Sequence, residues 1–244
     1  TRVLADATNQ RLTTSGGMIG ELTVSEADLF RIDVPAAGVL RLDANAAFCN
    51  GFDSVQLALL DSSAAVLSTE LNGAESACRV MVAQVQAGTY YVSLGRTATA
   101  MQPLSYWLTA SLITTQGTEM EPNDTTNQAN LLSGTDAVAC GTLSPSVDLT
   151  DTYLFTLSQP ANVHVEIIEG ASRNPTCESG TLDSRVDLLS GAGLSLETDQ
   201  GSGRNLCSRL ETATPLGAGT YFLRVTETST SRTGWPYCIV LRRW

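Results

Sequence analysis

The side chains with the clearest chemical potential in this chain are carboxylates. Glu119, Glu121, Asn123 and Asp124 fall within six residues, and Asp148 and Asp151 come later, at the start of a segment that reads as a strand. A strand there would pack close to the 119–124 stretch and bring the two groups together. Oxygen donors in that number suit a hard divalent cation, because calcium takes six to eight carboxylate and carbonyl oxygens around one compact ion. Carboxylates held together also repel, and a cation would relieve that cost. The expected site is a calcium site built from these six residues, pinning the linker around 113–121 to the second domain. The alternative for the same residues is a solvated acidic linker with an ordinary turn.

Other chemistry is thinly represented. The single histidine, His164, lies between Val163 and Val165. It reads as the outward side chain of a strand with one wet face, not as the base of a Ser-His-Asp site. There is no HExxH, no GxSxG, no P-loop and no dinucleotide fingerprint. Paired carboxylates for glycoside hydrolysis remain open by spacing alone. The reading is of a non-enzyme. For contacts with a protein or a glycan, the candidate surface is Trp235, Arg232 and Tyr237. Trp235 follows the polar run SRTG and precedes Pro236; the alternative is that it caps a sheet edge.

The elements that must position these residues occur twice. ADATNQ (5–10) returns as NDTTNQ (123–128), GEL (20–22) as GTL (141–143), ADLFRIDV (27–34) as TDTYLFTL (150–157), and AGTYYVSL (87–94) as AGTYFLRV (218–225). The offset grows from 118 to 131 along the chain, as small loop insertions would make it. Short alternating segments separated by glycine, serine, asparagine and aspartate dominate both copies, with no long helical period. The fold class is all-β: two tandem jelly-roll-like β-sandwich domains, 1–112 and 118–244.

Charge and cysteines set the compartment. With 25 acidic and 14 basic residues the formal charge is −11, which disfavours a nucleic-acid backbone or an anionic membrane as partner. No run of eighteen apolar residues occurs, so no membrane insertion is expected. The chain begins at Thr1 without a methionine, as a mature or excised piece would. Cys49 and Cys78 are 29 apart, and Cys177 and Cys207 are 30 apart at matching places in the second copy. Disulfides Cys49–Cys78 and Cys177–Cys207 are expected, in an oxidising, extracytoplasmic compartment. Cys140 and Cys238 stand where the first copy has Ile19 and Trp107. Replacement of both partners together argues for a third bridge, Cys140–Cys238, and for Ile19 lying beside Trp107.

The stretch GTEMEPNDTTNQA (117–129) resembles the opening of the bacterial pre-peptidase C-terminal domain family, found beside many secreted proteases and collagenases. The E-x-E-P-N-D opening is Glu119, Glu121, Pro122, Asn123 and Asp124, running on to Ala129 and Leu131. A G-x-L turn comes next at Gly141–Leu143, then a D-x-x-D-x-Y-x-F element at Asp148, Asp151, Tyr153 and Phe155. A strand around Asp183, a D-x-G turn at Asp199–Gly201 and A-G-T-Y at Ala218–Tyr221 complete the set. The first copy is similar but weaker. It keeps Asp6, Asn9, Gly20, Asp28, Phe30, Asp53 and the A-G-T-Y at 87–90. It has Thr1, Val3 and Ala5 where the second has Glu119, Glu121 and Asn123, and Ser25 where the second has Asp148. The resemblance implies an extracellular jelly-roll-like module, separable from a catalytic domain, with calcium near its N-terminal linker. The expected function is a secreted or cell-surface accessory module. It would attach to a protein or glycan substrate of a parent hydrolase, or to a cell surface. The alternatives are a structural spacer or adhesin segment, and a hydrolase with an unrecognised site.

Overall fold

A computed structural model describes residues 10–23, 26–46, 55–70, 79–96, 103–114, 119–144, 147–169, 183–203, 206–228 and 235–244. The chain divides into two compact units, Thr1–Ile113 and Thr114–Trp244. In the first, the strands are β1 (Arg11–Leu12), β2 (Gly17–Leu22), β3 (Ala27–Val34), β4 (Gly38–Asn45), β5 (Val55–Leu60), β6 (Val66–Glu70), β7 (Arg79–Val85), β8 (Gly88–Arg96) and β9 (Leu104–Ile113). They form a five-stranded sheet, β1-β3-β8-β5-β6, and a four-stranded sheet, β2-β9-β4-β7. One apolar core draws on both sheets: Phe30 and Ile32, Leu57 and Val92 from the first, and Leu22, Leu42, Met81 and Leu108 from the second.

The second unit repeats this wiring. Its strands are β10 (Asn130–Leu131), β11 (Asp136–Leu143), β12 (Thr150–Leu157), β13 (Val163–Glu169), β14 (Ser184–Ser190), β15 (Ser195–Gln200), β16 (Arg209–Glu211), β17 (Gly219–Glu227) and β18 (Trp235–Arg243). The sheets are β10-β12-β17-β14-β15 and β11-β18-β13-β16, the same order as in the first unit. Even the short parallel pair recurs, β1 with β3 and β10 with β12.

Alternation along the strands decides what faces the core. In β3, Asp28, Phe30, Ile32 and Val34 are buried while Leu29, Arg31 and Asp33 are not. In β12 the inward set is Asp151, Tyr153, Phe155 and Leu157. Period-two geometry therefore places a carboxylate on the core side at the start of each strand. Burial of each large apolar side chain contributes roughly 1.5–3 kcal/mol. Leu223 of β17 is fully buried. Leu223→Ala is expected to cost about 2–5 kcal/mol, read as a lowered denaturation midpoint.

The A-G-T-Y elements are fold residues. Gln86 N–H donates to the Tyr90 hydroxyl at 3.0 Å, and that hydroxyl donates back to the Gln86 carbonyl at 3.2 Å. The Tyr221 hydroxyl donates to the Gly217 carbonyl at 2.9 Å. Each ring ties its strand to the turn before it.

One expectation needs correction. His164 is not a surface group, since none of it is exposed. β13 lies between β18 and β16, and His164 stands opposite Arg242 on one side and Glu211 on the other. Its Nε2 lies 3.5 Å from Glu166, which is itself buried. A row of long side chains covers the face that alternation alone reads as wet. The first copy holds the bidentate pair Arg41–Asp43 at the corresponding place, at 2.8 and 3.1 Å. β6 and β15 are edge strands that alternation does not mark. In β15 five of six residues are exposed, so no apolar alternation marks it.

Candidate metal centre

The carboxylates come together at one end of the second unit. The segment beginning at Glu119 is latched to three strands. Glu119 N–H donates to the Cys140 carbonyl of β11, and Thr152 N–H of β12 donates to the Asn123 carbonyl, both at 2.9 Å. Asn130 of β10 grips Met120 from both sides, accepting from its N–H at 2.9 Å and donating to its carbonyl at 3.0 Å. Asp148 N–H donates to the Ser144 carbonyl at 2.8 Å. Asp151 arrives on the core side of β12.

The result is a cluster of Glu119, Glu121, Asp148 and Asp151, each offering one oxygen within 4.8 Å of the others. Thr142 N–H donates to Glu119 Oε1 at 2.6 Å, and Asn123 N–H to Glu121 Oε2 at 3.0 Å. Beneath them, the Tyr237 hydroxyl donates to Asp151 Oδ2 at 2.5 Å. The Tyr153 hydroxyl lies 2.7 Å from that of Tyr237 and 3.3 Å from Glu119 Oε2. A surface cavity of about 340 Å³ opens beside the cluster, lined by Glu119, Glu121, Cys140, Gly141, Thr142, Pro236 and Tyr237. A larger one, about 450 Å³ around Arg243 and Trp244, shares no residue with it.

Packing four carboxylates here has an electrostatic consequence. Asp148 is pushed up to about 6, first by burial and then by Glu121, Glu119 and Asp124. Asp151 is pushed up to about 9, mainly by burial, with Glu119 and Asp148 adding and the Tyr237 hydrogen bond opposing. Burial also drives the Tyr153 and Tyr237 hydroxyls well above their ordinary range. With no cation these shifts favour a proton held on Asp151 at neutral pH.

Asn123 is fully buried against the carboxylates. In one orientation its amide oxygen faces only other acceptors. Turned over, its nitrogen donates to Asp151 Oδ1 at 2.8 Å and to Glu121 Oε1 at 3.2 Å, while its oxygen accepts from Asn130 at 3.1 Å. The nitrogen-inward state satisfies a cation-free cluster. The oxygen-inward state adds a fifth oxygen to the set.

Of the sequence-derived ligands, Glu119, Glu121, Asp148 and Asp151 converge and Asn123 touches them. Asp124 is exposed and acts on Asp148 only through its charge. Tyr237 is no contact surface: it is fully buried, and its hydroxyl points at Asp151. Trp235 opens β18 opposite Leu143; Arg232 lies outside the described residues. Cys140 and Cys238 are disulfide-bonded across β11 and β18. Their counterparts Ile19 and Trp107 stand opposite each other in the same register, 86% and 43% exposed, as a surface pair. Cys207 is buried and disulfide-bonded; Cys49, Cys78 and Cys177 lie outside the described residues.

Sequence reasoning missed the roles of Tyr153, Tyr237 and Gly141. Tyr153 is in phase with Asp151, two residues on. A Cys140–Cys238 pairing also sets Gly141 opposite Tyr237. Gly141 is glycine for space, because a Cβ there would lie 2.0 Å from Glu119 Oε2. In the first unit Gly20 faces Tyr106, whose hydroxyl would be 2.3 Å from such a Cβ and donates to Asp28 at 2.6 Å. The buried Asp–Tyr pair is thus common to both copies, while Phe30 stands in place of Tyr153.

Gly141→Ala is expected to push the Glu119 carboxylate aside and weaken cation binding about tenfold or more without touching a ligand, measured by calorimetric titration. Among the described residues no catalytic constellation is assembled, and the one histidine is buried away from solvent. No described helix is long and apolar enough to cross a membrane.

No family model and no curated protein matches the chain. Among solved structures it is similar to the pre-peptidase C-terminal domain of collagenase from Bacillus anthracis, at 16% identity, covering 51% of this chain and 100% of that one, with a TM-score of 0.37. It is also similar to PliG of Aeromonas hydrophila, a periplasmic inhibitor of g-type lysozyme, at 15% identity over 48% of this chain and 97% of that one, TM-score 0.31. The CUB1-EGF-CUB2 domains of rat MASP-1 overlap at 9% identity over 95% of this chain and 99% of that one, TM-score 0.27. These are distant overlaps.

Proposed function

We propose that this chain is an extracytoplasmic, non-catalytic pair of pre-peptidase C-terminal-like modules whose second copy is stiffened by calcium. The observation that carries the reading is the convergence of four carboxylate oxygens within 4.8 Å on a segment latched to β10, β11 and β12. The donor set fits the ion. Glu119, Glu121, Asp148 and Asp151 would hold it, with the Asn123 amide oxygen turned inward. The all-oxygen, carboxylate-rich chemistry suits calcium over softer metals. Bound there, the ion supplies positive charge in place of the proton held on Asp151. It would hold the Glu119–Asn123 segment against the sheet and restrict how the chain enters the domain. The strand order β2-β9-β4-β7 with β3-β8-β5-β6, repeated in the second unit, supports jelly-roll wiring. The disulfide supports an oxidising compartment. The role we assign is attachment or positioning for a secreted parent protein, with a protein, glycan or cell surface as partner.

Calcium titration by calorimetry, alongside thermal melts in calcium and in chelator, tests the reading. Saturable heat and a raised melting temperature are expected. No heat and superimposable melts would overturn the metal assignment and leave the acidic segment a solvated linker.

A further inference from the structure

We infer that the Cys140–Cys238 disulfide is a positioning element of the metal centre, so that calcium affinity and the redox state of this bridge are coupled. The inference rests on the calcium assignment of the cluster.

The bridge sits one residue pair from the cluster, on the two strands that carry its supports. On β11, the Cys140 carbonyl accepts from Glu119 N–H, and Thr142 N–H holds the Glu119 carboxylate. On β18, Tyr237, the neighbour of Cys238, holds Asp151. The distance between Glu119 and Asp151 is therefore set through the separation of β11 and β18. The backbone ladder of β11 and β18 runs from Asp136–Arg242 to Leu143–Trp235, and the disulfide adds a covalent tie beside the cluster. β11 is the edge strand of its sheet, and its outward backbone groups at Cys140 and Thr142 are taken by Glu119 rather than by a further strand. The disulfide links the strands at a pair whose Cys140 carbonyl is turned outward to Glu119 N–H, so the covalent bond, not a ladder hydrogen bond, joins that pair. Cys140 is part-exposed and lines the cavity beside Glu119 and Glu121, while Cys238 is buried.

The first copy makes the comparison within the same chain. At the matching register Ile19 and Trp107 face each other without a covalent link, and Ser105 stands where the second copy has Pro236. Its positions matching Glu119, Glu121 and Asp148 are Thr1, Val3 and Ser25. The bridge, the proline and three of the four carboxylates occur together in the second copy, while the first keeps only the fourth, as Asp28.

Reduction by a dithiol transfers two electrons and two protons to the bridge. The Cys140–Cys238 S–S bond breaks to two thiols, and the dithiol closes to its own disulfide. The open form would let β11 shift relative to β18 and loosen the carboxylate set. By linkage the effect is reciprocal: calcium must favour the oxidised bridge by the factor by which the bridge favours calcium.

The test is calcium titration of the oxidised wild type against the double variants Cys140→Ala/Cys238→Ala and Cys140→Ile/Cys238→Trp. The second installs the first copy's own pair, in case the alanines fail to fold. The expected result is a Kd about tenfold weaker in a folded variant, as for other supports that orient metal ligands. Dithiol treatment should weaken the wild type to the same degree and leave the variants' Kd unchanged, which separates this bridge from that of Cys207. The midpoint potential of the bridge should then fall by about 30 mV on saturation with calcium, the equivalent of tenfold for a two-electron couple. Equal Kd values in wild type and variants would overturn the coupling while the metal assignment stood. Absence of saturable heat in the oxidised wild type would overturn both.

Discussion

Asp151→Asn is expected to abolish calcium stabilisation and, in chelator at pH 8, to make the second domain more stable than wild type. Asp151 is fully buried and its carboxyl is pushed up to about 9 by that burial. Deprotonating it without a cation places a charge in the core beside Glu119 and Asp148. An asparagine keeps the acceptor for the Tyr237 hydroxyl and removes the charge. Wild type in calcium at a thousand times Kd gains about 4 kcal/mol, roughly 10–20 °C in Tm for a domain of this size. The variant should gain none. In chelator the two proteins should converge as pH falls toward 4, where wild-type Asp151 is protonated and resembles the amide. Scanning calorimetry of both proteins across pH, with and without calcium, checks each part. A variant that still gains the full increment would remove Asp151 from the site.

The second large effect is a reversal of pH dependence by calcium. Asp148 and Asp151 have folded values of about 6 and about 9, above the ordinary carboxylate range near 4. For an acid raised on folding, the stabilising contribution is complete below the unfolded value and is lost as pH rises through the folded one. Chelated protein should therefore lose stability between about pH 4 and pH 9, first through Asp148 and then through Asp151. Fully buried Asp151 should carry the larger share of this loss, and part-exposed Asp148, screened by solvent, the smaller. Calcium requires the deprotonated carboxylates, so its binding should release protons in the same window and tighten as pH rises. Titrations in buffers of different ionisation enthalpy measure the released protons. A chelated protein whose Tm is flat across this range would contradict the buried-carboxylate account.

Much of the architecture is legible in the residues because the chain repeats itself. ADLFRIDV and TDTYLFTL alternate with the same phase, and the structure gives them the same inward sets. The Cys140–Cys238 link is legible because its alternative, Ile19 opposite Trp107, is present in the other copy. Alternation fails where both faces of a strand are covered, which hides His164 and Glu166, and where neither is, which hides β15. Tyr237 reads as a surface aromatic because its neighbours Trp235 and Pro236 come after a polar loop. Only the cross-strand register shows its hydroxyl under Asp151. The meeting of Glu119 with Asp148 and Asp151 depends on hydrogen bonds to Cys140 and Thr142, for which local pattern carries no signal.

The most direct measurement is a crystal structure of the chain grown or soaked with calcium, with the ion located by its anomalous scattering. The account predicts one ion in the second domain, held by Glu119, Glu121, Asp148, Asp151 and the Asn123 amide oxygen, with six to eight oxygen ligands at about 2.3–2.6 Å. A well-ordered cluster with no ion at millimolar calcium, or an ion bound by other residues, would contradict it.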